Sequence, residues 1–420
     1  MFGLAAALFL TGCGGNTLEE PYSFADRGSN LGVSEGSASL APLFASDLCV
    51  IDGEPADDST EFTGEAGAVF GITDQHVIYS KNAYKQLYPA SITKVMTALI
   101  AIEEGELSDT VQVTKDAVIT ESGASLCGIK PGDTLTMEQL LYGLLIPSGN
   151  DAANAIAVHM SGSVEAFAGR MNERARQLGA TQTHFKNPSG LSDPEHYTTA
   201  YDLAKIMRAG LQNPRFRKVI SAANYTIPAT NLSEARGMHT HMPLMAKESN
   251  LYYEGCIGGK TGNTNDAGHT LVVAAERNGR TYIAVTMRTA DLGANCTDSI
   301  ALFDYAFDNF DTLTVNGKKV TVPKGVTADQ LTVEQVDKNR NMLNRYFYNG
   351  QYVGYAAPAA TPTPQAVQTA AAGTGENTSG TQTVQEEAEI PESETEEGLS
   401  DMSKDPSWID GCDGRDSCGI

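Results

Sequence analysis

The sequence predicts an α/β fold whose sheet is closed by segments that lie far apart in the chain. Strand patterns occur at both ends of a central body, at residues 66–79 and again at 268–287, and helical patterns fill the interval between them. Both sets of strands have an apolar face to bury, so we expect them to meet in one sheet beside the helices.

Each element follows from a local pattern. Apolar residues flank Asp74-Gln75 on both sides, which predicts a β-hairpin. Two further strand patterns flank Asn278-Gly279, a strong hairpin signal. Apolar residues at helical spacing predict helices over residues 91–104, 137–146, 150–159, 167–178, 200–211 and about 298–310.

Composition divides the rest of the chain. Short β patterns around Asn316-Gly317 predict a small β-rich module, and the sequence after it has too few large apolar residues to fold over most of its length. The predicted parts are a signal segment (1–13), a flexible tether (14–40), a folded body (41–311), a small β-rich module (312–355) and a low-complexity, disordered acidic tail (356–420).

The net charge excludes one class of partner. The chain has 29 basic and 52 acidic side chains, a formal charge of −23, which is the wrong sign for binding nucleic acid. About half of this charge is in the tail, where the acids from Glu376 onwards are opposed only by Lys404 and Arg415.

The N-terminus resembles an export signal with a lipid attachment site. Its apolar run ends at Leu10 and is shorter than the roughly 20 residues of a membrane-spanning helix. Leu10-Thr-Gly-Cys13 resembles the bacterial lipobox, which implies a lipid on Cys13 and attachment to the membrane surface. Signals normally open with Lys or Arg, and none precedes Cys13, which leaves the true translation start open.

The remaining cysteines are expected to be structural. An exported chain can oxidise its thiols, but six cysteines allow 15 connectivities and their spacing matches no zinc pattern. His239-Thr-His241 lacks the partner ligands of a metal site, so we expect no metal and no cofactor. The six are Cys49, Cys127, Cys256, Cys296, Cys412 and Cys418.

Three short motifs carry the chemistry: Ser91-Ile-Thr-Lys94, Ser148-Gly-Asn150 and Lys260-Thr-Gly262. Ser91 and Lys94 are three residues apart at a predicted helix start, so both side chains leave the same face of its first turn. Each motif alone has an ordinary explanation as a helix cap, an interhelical turn or a strand end. Their order and their flanking residues are what point to a function.

In this order the motifs resemble the active-site signature of penicillin-binding proteins and serine β-lactamases. Over residues 43–310 the chain is similar to the low-molecular-mass D-alanyl-D-alanine carboxypeptidases, which implies an antiparallel sheet flanked by helices, a helical subdomain, and a D,D-peptidase domain at 41–311. The flanks that carry this resemblance are Tyr88-Pro-Ala-Ser-Ile-Thr-Lys94, Leu144-Leu-Ile-Pro-Ser-Gly-Asn-Asp-Ala-Ala153, Asn187-Pro-Ser-Gly-Leu191, His196-Tyr-Thr-Thr-Ala200 and Gly259-Lys-Thr-Gly-Asn-Thr264.

The residue types agree with serine acyl transfer. A serine hydroxyl needs a base, and no Ser-His-Asp set is evident, so Lys94 is the expected base for Ser91. Burial and the charge of Lys260 would lower the pKa of Lys94 and keep it neutral. The resemblance implies that Ser148 relays the proton to the leaving amine. It also implies substrate binding by Asn150, Lys260, Thr261, Gly262 and Asn263.

One position departs from the family pattern. These carboxypeptidases often place an Arg near the start of the last core helix to bind the substrate carboxylate, and that place holds Asn295-Cys296 here. Arg288, at the end of the preceding strand, is the predicted substitute.

The resulting hypothesis is a serine carboxypeptidase that removes the terminal D-Ala from peptidoglycan stem pentapeptides outside the cytoplasmic membrane and is acylated by β-lactam antibiotics. A serine β-lactamase is one alternative, and Glu195 is the only carboxylate near the corresponding loop that could activate water for it. A penicillin-sensing or wall-binding lipoprotein without turnover is the other.

Overall fold

The computed structural model describes residues 62–72, 77–338 and 341–356. The predicted signal segment with Cys13, the tether and the acidic tail beyond residue 356 lie outside these residues. Within the described ranges, no helix combines the length and the apolar character needed to cross a membrane.

A five-stranded antiparallel sheet forms the centre of the body, in the order β2-β1-β9-β8-β7. The first hairpin and the late strands meet as predicted, since Ala66 of β1 pairs with Met287 of β9. Asn278 and Gly279 both have positive φ in the turn between β8 and β9, the backbone of a tight hairpin turn. The strands are β1 (Ala66–Gly71), β2 (Val77–Lys81), β7 (Cys256–Thr264), β8 (Gly268–Arg277) and β9 (Arg280–Thr289).

Seven helices occur in the described residues, and six of them were predicted. The seventh, α6, has only seven residues, which is too short to show a periodic pattern. The helix α7 begins earlier than predicted because Asp291 caps it, its carboxylate accepting from Ala294 N at 2.8 Å. The helices are α1 (Lys94–Glu104), α2 (Met137–Leu145), α3 (Asn150–Ser161), α4 (Val164–Gln177), α5 (Ala200–Gln212), α6 (Pro214–Ile220) and α7 (Leu292–Asn309).

The sheet separates two apolar cores. Alternating side chains of β9 show the division, because Ile283 and Val285 face a core shared with α1 to α6, while Tyr282 and Ala284 face α7. The first core is the larger and holds the buried residues of α1, which is apolar on nearly all sides. A helix buried in this way has a fixed position relative to the sheet.

Short antiparallel strand pairs occur within the body, and further short strands follow it in the chain. Residues 310–356 form a hairpin and a three-stranded sheet around a small core that includes Val320, Val322 and Tyr346. These short strands were predicted in part. The remaining strands are β3 (Thr110–Gln112), β4 (Thr134–Thr136), β5 (Asn224–Ile227), β6 (Arg236–His239), β10 (Phe310–Val315), β11 (Lys318–Pro323), β12 (Thr332–Lys338), β13 (Asn341–Tyr348) and β14 (Gln351–Ala356).

Arg280 joins this β-rich part to the body. Its Nη1 donates to the carbonyl of Phe307 at 3.2 Å and to that of Phe310, so it satisfies carbonyl groups at the C-terminal end of α7. The same guanidinium lies 3.4 Å from the Asp311 carboxylate at the start of β10. The end of α7 and the first strand of the β-rich part are therefore held by one side chain.

Asp298 of α7 holds the segment that enters β1. Its buried carboxylate accepts hydrogen bonds from Thr63 N at 3.1 Å and Gly64 N at 2.9 Å, and from the Thr63 hydroxyl at 3.0 Å. Bonds to an ionised acceptor are among the strong hydrogen bonds of proteins. This contact fixes the first described residues against a helix that lies more than 230 positions later.

We expect Asp298→Ala to lower the free energy of unfolding by about 2 kcal/mol, because it leaves the buried N–H of Gly64 and the partly buried N–H of Thr63 without an acceptor. Urea unfolding followed by circular dichroism measures this change. Asp308→Ala is the matched control, since Asp308 is an exposed carboxylate of the same helix. Equal stability of the two variants would show that the contact to residues 63–64 contributes nothing.

Candidate active site

The chain enters α1 through a 3₁₀ turn at Ala90–Thr93, which brings the first motif together. Lys94 Nζ lies 2.9 Å from Ser91 Oγ, as the three-residue spacing predicted. Lys94 is fully buried, whereas Ser91 is partly exposed. A base therefore lies beneath a hydroxyl that an incoming molecule can reach.

Two further acceptors contact the amine of Lys94. Its Nζ donates to Asn150 Oδ1 and to the carbonyl oxygen of Ser189, each at 2.6 Å. Both partners can only accept, and a neutral amine has two hydrogens and one lone pair. In the neutral form of Lys94, with both hydrogens used in this way, the lone pair is left for the Ser91 hydroxyl.

Electrostatics favours the same neutral form. Burial lowers the pKa of Lys94 well below its usual value, the positive charge of Lys260 lowers it further, and Asp151 opposes the shift. Burial also lowers the pKa of Lys260 to about 7. Lys260 Nζ donates to the carbonyl of Thr261 at 2.6 Å.

The second motif lies between α2 and α3. Ser148 has φ = +63°, a conformation that non-glycine residues rarely adopt. The loop is held from both sides, since Gly149 N donates to Gly143 O at 3.0 Å and Asn150 N donates to Ser125 O at 2.9 Å. Asn150 can therefore present its side chain to Lys94 from the first residue of α3.

The third motif lies on β7, which is an edge strand of the sheet. A Cβ added to Gly262 would lie 2.8 Å from Ser91 N and 2.9 Å from Pro89 O, so only glycine lets the strand approach the Ser91 backbone this closely. Thr270 of β8 also bonds to this backbone: its Oγ1 donates to Pro89 O at 2.8 Å. On β7, Thr261 is partly exposed and Asn263 is exposed.

A loop at residues 187–191 supplies a functional atom that the motifs did not reveal, the Ser189 carbonyl. Asn187 shapes this loop, its Oδ1 accepting from Gly190 N at 2.7 Å and its Nδ2 donating to Leu191 O at 3.0 Å. The only signal in the sequence was the family-like Asn187-Pro-Ser-Gly-Leu191 itself. A backbone carbonyl has no side-chain identity by which a sequence could mark it.

His196 is a buried residue that contacts the 3₁₀ turn carrying Ser91. Its Nδ1 accepts from Lys186 N at 3.2 Å, so Nε2 carries the proton and donates to Thr93 Oγ1 at 2.8 Å. Burial lowers the pKa of His196 to about 4. It therefore stays neutral and holds the 3₁₀ turn in place.

Close packing also fixes the residue before Ser91. Ala90 has φ = +52°, and a Cβ added to Gly190 would lie 1.9 Å from its carbonyl oxygen. Strained backbone of this kind persists only where its surroundings hold it. Gly190 is thus required for the approach of the 187–191 loop to the turn that carries Ser91.

Two predicted candidates lie apart from this centre. Arg288 is half-exposed at the end of β9, with Nε 3.3 Å from Glu65 Oε2. Glu195 is the carboxylate that would activate water in a β-lactamase. It is exposed and accepts from Lys186 Nζ at 3.0 Å. Asn295 is fully buried beneath the sheet and is not accessible to a substrate.

The described ranges contain no cluster of three or more His, Cys, Asp or Glu residues arranged to hold a metal ion. His239 and His241 are both exposed, and His239 Nδ1 lies 2.6 Å from Asn224 Oδ1.

Comparison with known proteins agrees with this geometry. Residues 58–291 match the family model described as D-alanyl-D-alanine carboxypeptidase. The chain is 38% identical over 250 residues to D-alanyl-D-alanine carboxypeptidase DacB2 of Mycobacterium tuberculosis, covering 58% of this chain and 79% of that protein.

Two solved structures are similar as well. A D-alanyl-D-alanine carboxypeptidase from Mycobacterium tuberculosis matches with a TM-score of 0.56 at 34% identity, covering 61% of this chain and 96% of that one. Penicillin binding protein 6B from Escherichia coli matches with a TM-score of 0.62 at 25% identity, covering 73% and 98%.

We expect Gly190→Ala to slow the reaction of Ser91 with a fluorescent penicillin by about a hundred-fold, because the new methyl group displaces the turn that carries Ser91. Gel fluorescence against time measures the rate. Gly169→Ala in α4 is the control, since its Cβ would meet nothing within 4 Å. A wild-type rate for Gly190→Ala would show that the close contact does not position Ser91.

Proposed function

The chain belongs to the D-alanyl-D-alanine carboxypeptidase family of serine peptidases, and on this premise we propose that it removes the terminal D-Ala of peptidoglycan stem pentapeptides through an acyl-enzyme on Ser91. The observation that carries the proposal is the 2.9 Å contact between Ser91 Oγ and the buried Lys94 Nζ. A depressed lysine pKa beside a reachable hydroxyl is the arrangement that nucleophilic catalysis needs.

The proposed reaction has two steps. Lys94 takes the Ser91 proton while Oγ attacks the carbonyl carbon of the penultimate D-Ala. The C–N bond then breaks, and Ser148 relays the proton from Lys94 to the leaving amine of D-alanine. In the second step, water gives one proton to Lys94 while its oxygen attacks the ester carbonyl; the C–O bond to Ser91 breaks, Lys94 returns the proton to Ser91 Oγ, and the shortened peptide leaves with a new carboxylate.

The edge position of β7 supports the proposed mode of substrate binding. An extended peptide can lie along this strand, and the Asn150 amide is proposed to hold the substrate amide. Backbone N–H groups of Ser91 and Asn263 would form the oxyanion hole, and Gly262 lets the strand lie against Ser91. Loss of one such donor typically costs about a hundred-fold or more in rate.

The terminal carboxylate is assigned to the Lys260 and Thr261 side chains in the middle of β7. Thr261 would donate a hydrogen bond to this carboxylate. Burial lowers the pKa of Lys260 to about 7, and an arriving carboxylate would keep Lys260 in its charged form. Arg288 supplies the further cation that the family often takes from the last core helix.

Penicillins are proposed to acylate the same serine, because the β-lactam carbonyl occupies the place of the scissile amide. A β-lactamase would also need fast hydrolysis of that ester. Glu195 does not favour this alternative, since its carboxylate is exposed and paired with Lys186.

Export is part of the proposal. Stem peptides lie outside the cytoplasmic membrane, and the lipobox-like Cys13 supports a lipid anchor with residues 14–40 as a tether. In this scheme residues 41–311 are the catalytic domain, residues 312–355 an attached β-rich module, and residues 356–420 an acidic tail of unassigned role.

We expect the full-length protein to release D-alanine from a synthetic peptide ending in D-Ala-D-Ala, and Ser91→Ala to abolish that release. A coupled D-amino-acid assay measures it. The matched control is Ser163→Ala, a serine that caps α4 away from the motifs. Penicillin acylation without D-alanine release would contradict the carboxypeptidase and favour a penicillin sensor, whereas rapid turnover of a chromogenic cephalosporin would favour a β-lactamase.

The rate of penicillin acylation should fall as the pH is lowered, because a proton on Lys94 occupies the lone pair that Ser91 needs. Lys260→Met should move the midpoint of this decline to higher pH, since the charge of Lys260 lowers the pKa of Lys94. Stopped-flow acylation across pH measures both, with the exposed Lys319→Met as control. A midpoint that stays in place or moves to lower pH contradicts this electrostatic coupling.

A further inference from the structure

Asp151, the residue after the second motif, is a buried acid that the proposed reaction does not use. It is the second residue of α3, and its carboxylate accepts hydrogen bonds from four backbone N–H groups, one of them within α3. The other three belong to one loop: Cys127 N and Gly128 N donate at 2.9 Å, and Ile129 N donates at 3.1 Å. Several N–H donors stabilise a carboxylate in its ionised form. Asp151 therefore holds a loop and carries a negative charge inside the protein.

The same loop, residues 125–129, contacts the second motif directly. Ser125 O accepts from Asn150 N at 2.9 Å, so the backbone of Asn150 and the side chain of Asp151 bind one loop. Asn150 Oδ1 in turn accepts from Lys94 Nζ at 2.6 Å. A continuous series of hydrogen bonds thus joins the 125–129 loop, the start of α3 and the amine that lies beneath the nucleophile.

Tight packing fixes this loop against α2 and the turn of the second motif. A Cβ added to Gly149 would lie 2.9 Å from Asp151 Oδ1 and 3.0 Å from Cys127 Cβ. One added to Gly143 of α2 would lie 3.0 Å from Cys127 Sγ. A larger residue at either glycine would therefore press on the loop or on the carboxylate that holds it. Between these contacts lies Ser148, whose backbone is left-handed.

Two charges of opposite sign act on Lys94. Burial lowers the pKa of Lys94 and the charge of Lys260 on β7 lowers it further, whereas the Asp151 carboxylate raises it. Two other titratable groups near this network stay neutral, because burial lowers the pKa of His196 to about 4 and raises the pKa of the Cys127 thiol. Asp151 is therefore the negative charge that opposes the fall in the pKa of Lys94.

We propose that Asp151 is a positioning residue for the acylation step, because its carboxylate holds the 125–129 loop against the start of α3 and so fixes Asn150 where Lys94 can donate to it. The inference rests on the proposed role of Lys94 as the base for Ser91. The charge of Asp151 has a second effect on this base. A base with too low a pKa accepts a proton poorly, and Asp151 opposes the fall that burial causes.

The test is the pH dependence of Ser91 acylation by a fluorescent penicillin, measured by stopped flow on the full-length protein. Asp151→Asn keeps the size of the side chain but removes its charge and turns one acceptor oxygen into a donor that faces N–H groups. The rate above the midpoint should fall about tenfold, because the loop no longer fixes Asn150. The midpoint should move to lower pH by about one unit, because Lys94 loses the charge that raises its pKa.

Asp133→Asn is the matched control. Asp133 is also a buried carboxylate, and it accepts from Lys130 N at 3.0 Å and from the Thr230 hydroxyl. Its charge is not among those that act on Lys94 in the described part of the chain. It should therefore lower thermal stability, as Asp151→Asn does, without moving the midpoint of acylation.

Gly143→Ala tests the loop without altering a charge. Its new methyl group would meet Cys127 Sγ, so it should lower the acylation rate about tenfold and leave the midpoint in place. Gly169→Ala is its control, since a Cβ there would meet nothing within 4 Å. Gly143→Ala decides the positioning role if Asp151→Asn does not fold.

The outcomes separate this inference from the proposed function. A wild-type rate in folded Asp151→Asn or in Gly143→Ala overturns the positioning role of Asp151. A lowered rate that Asp133→Asn shares, with an unmoved midpoint, makes Asp151 a structural residue only and overturns the inference as well. Wild-type acylation that does not decline at low pH overturns Lys94 as the base, which is the proposed function itself, and the inference with it.

Discussion

The burial of one amine organises the site. Burial keeps water away from Lys94 and lowers its pKa, and Lys94 Nζ donates to two carbonyl oxygens. Those oxygens belong to Asn150 and Ser189, on segments that are distant in sequence from α1. The segments that contain Asn150 and Ser189 must therefore pack against α1 before Lys94 has this environment. Folding and the proposed chemistry are coupled through these two contacts.

Strain accompanies this arrangement. Ala90, Ser148 and Arg288 have left-handed backbones although none is a glycine, and each lies beside a predicted site residue or is one. Such conformations cost about 1–3 kcal/mol each and need surroundings that hold them. At Ala90 the hold comes from the close approach of Gly190, at Ser148 from the Gly149 and Asn150 backbone bonds, and at Arg288 from the pairing of Thr289 and Met287 on either side of it. Residues without reactive groups are thus needed for the backbone conformation of the site, just as the motifs are needed for its side chains.

The sequence predicted the large features because they depend on local patterns. Apolar periodicity located six of the seven described helices, and Asn278-Gly279 marked its hairpin because its turn needs positive φ. The spacing of Ser91 and Lys94 was enough to predict their contact. The Ser189 carbonyl and the bulge at Arg288 were not predictable, since they arise from register and tertiary packing. Family resemblance marked Asn295 as a departure, and the structure shows it buried, accepting from the hydroxyls of Thr286 and Thr289.

The helix α7 also has a mechanical consequence. Asp298 fastens residues 63–64 near one end of it, and Arg280 ties its other end to β10, about 17 Å away at 1.5 Å per residue. Tension between the entering chain and the β-rich part would run along this helix and through β1 and β9. The helices α1, which contains Lys94, and α3, which contains Asn150, make neither of these two contacts, so such a load would bypass them. The strand β9, which ends beside Arg288, would bear it.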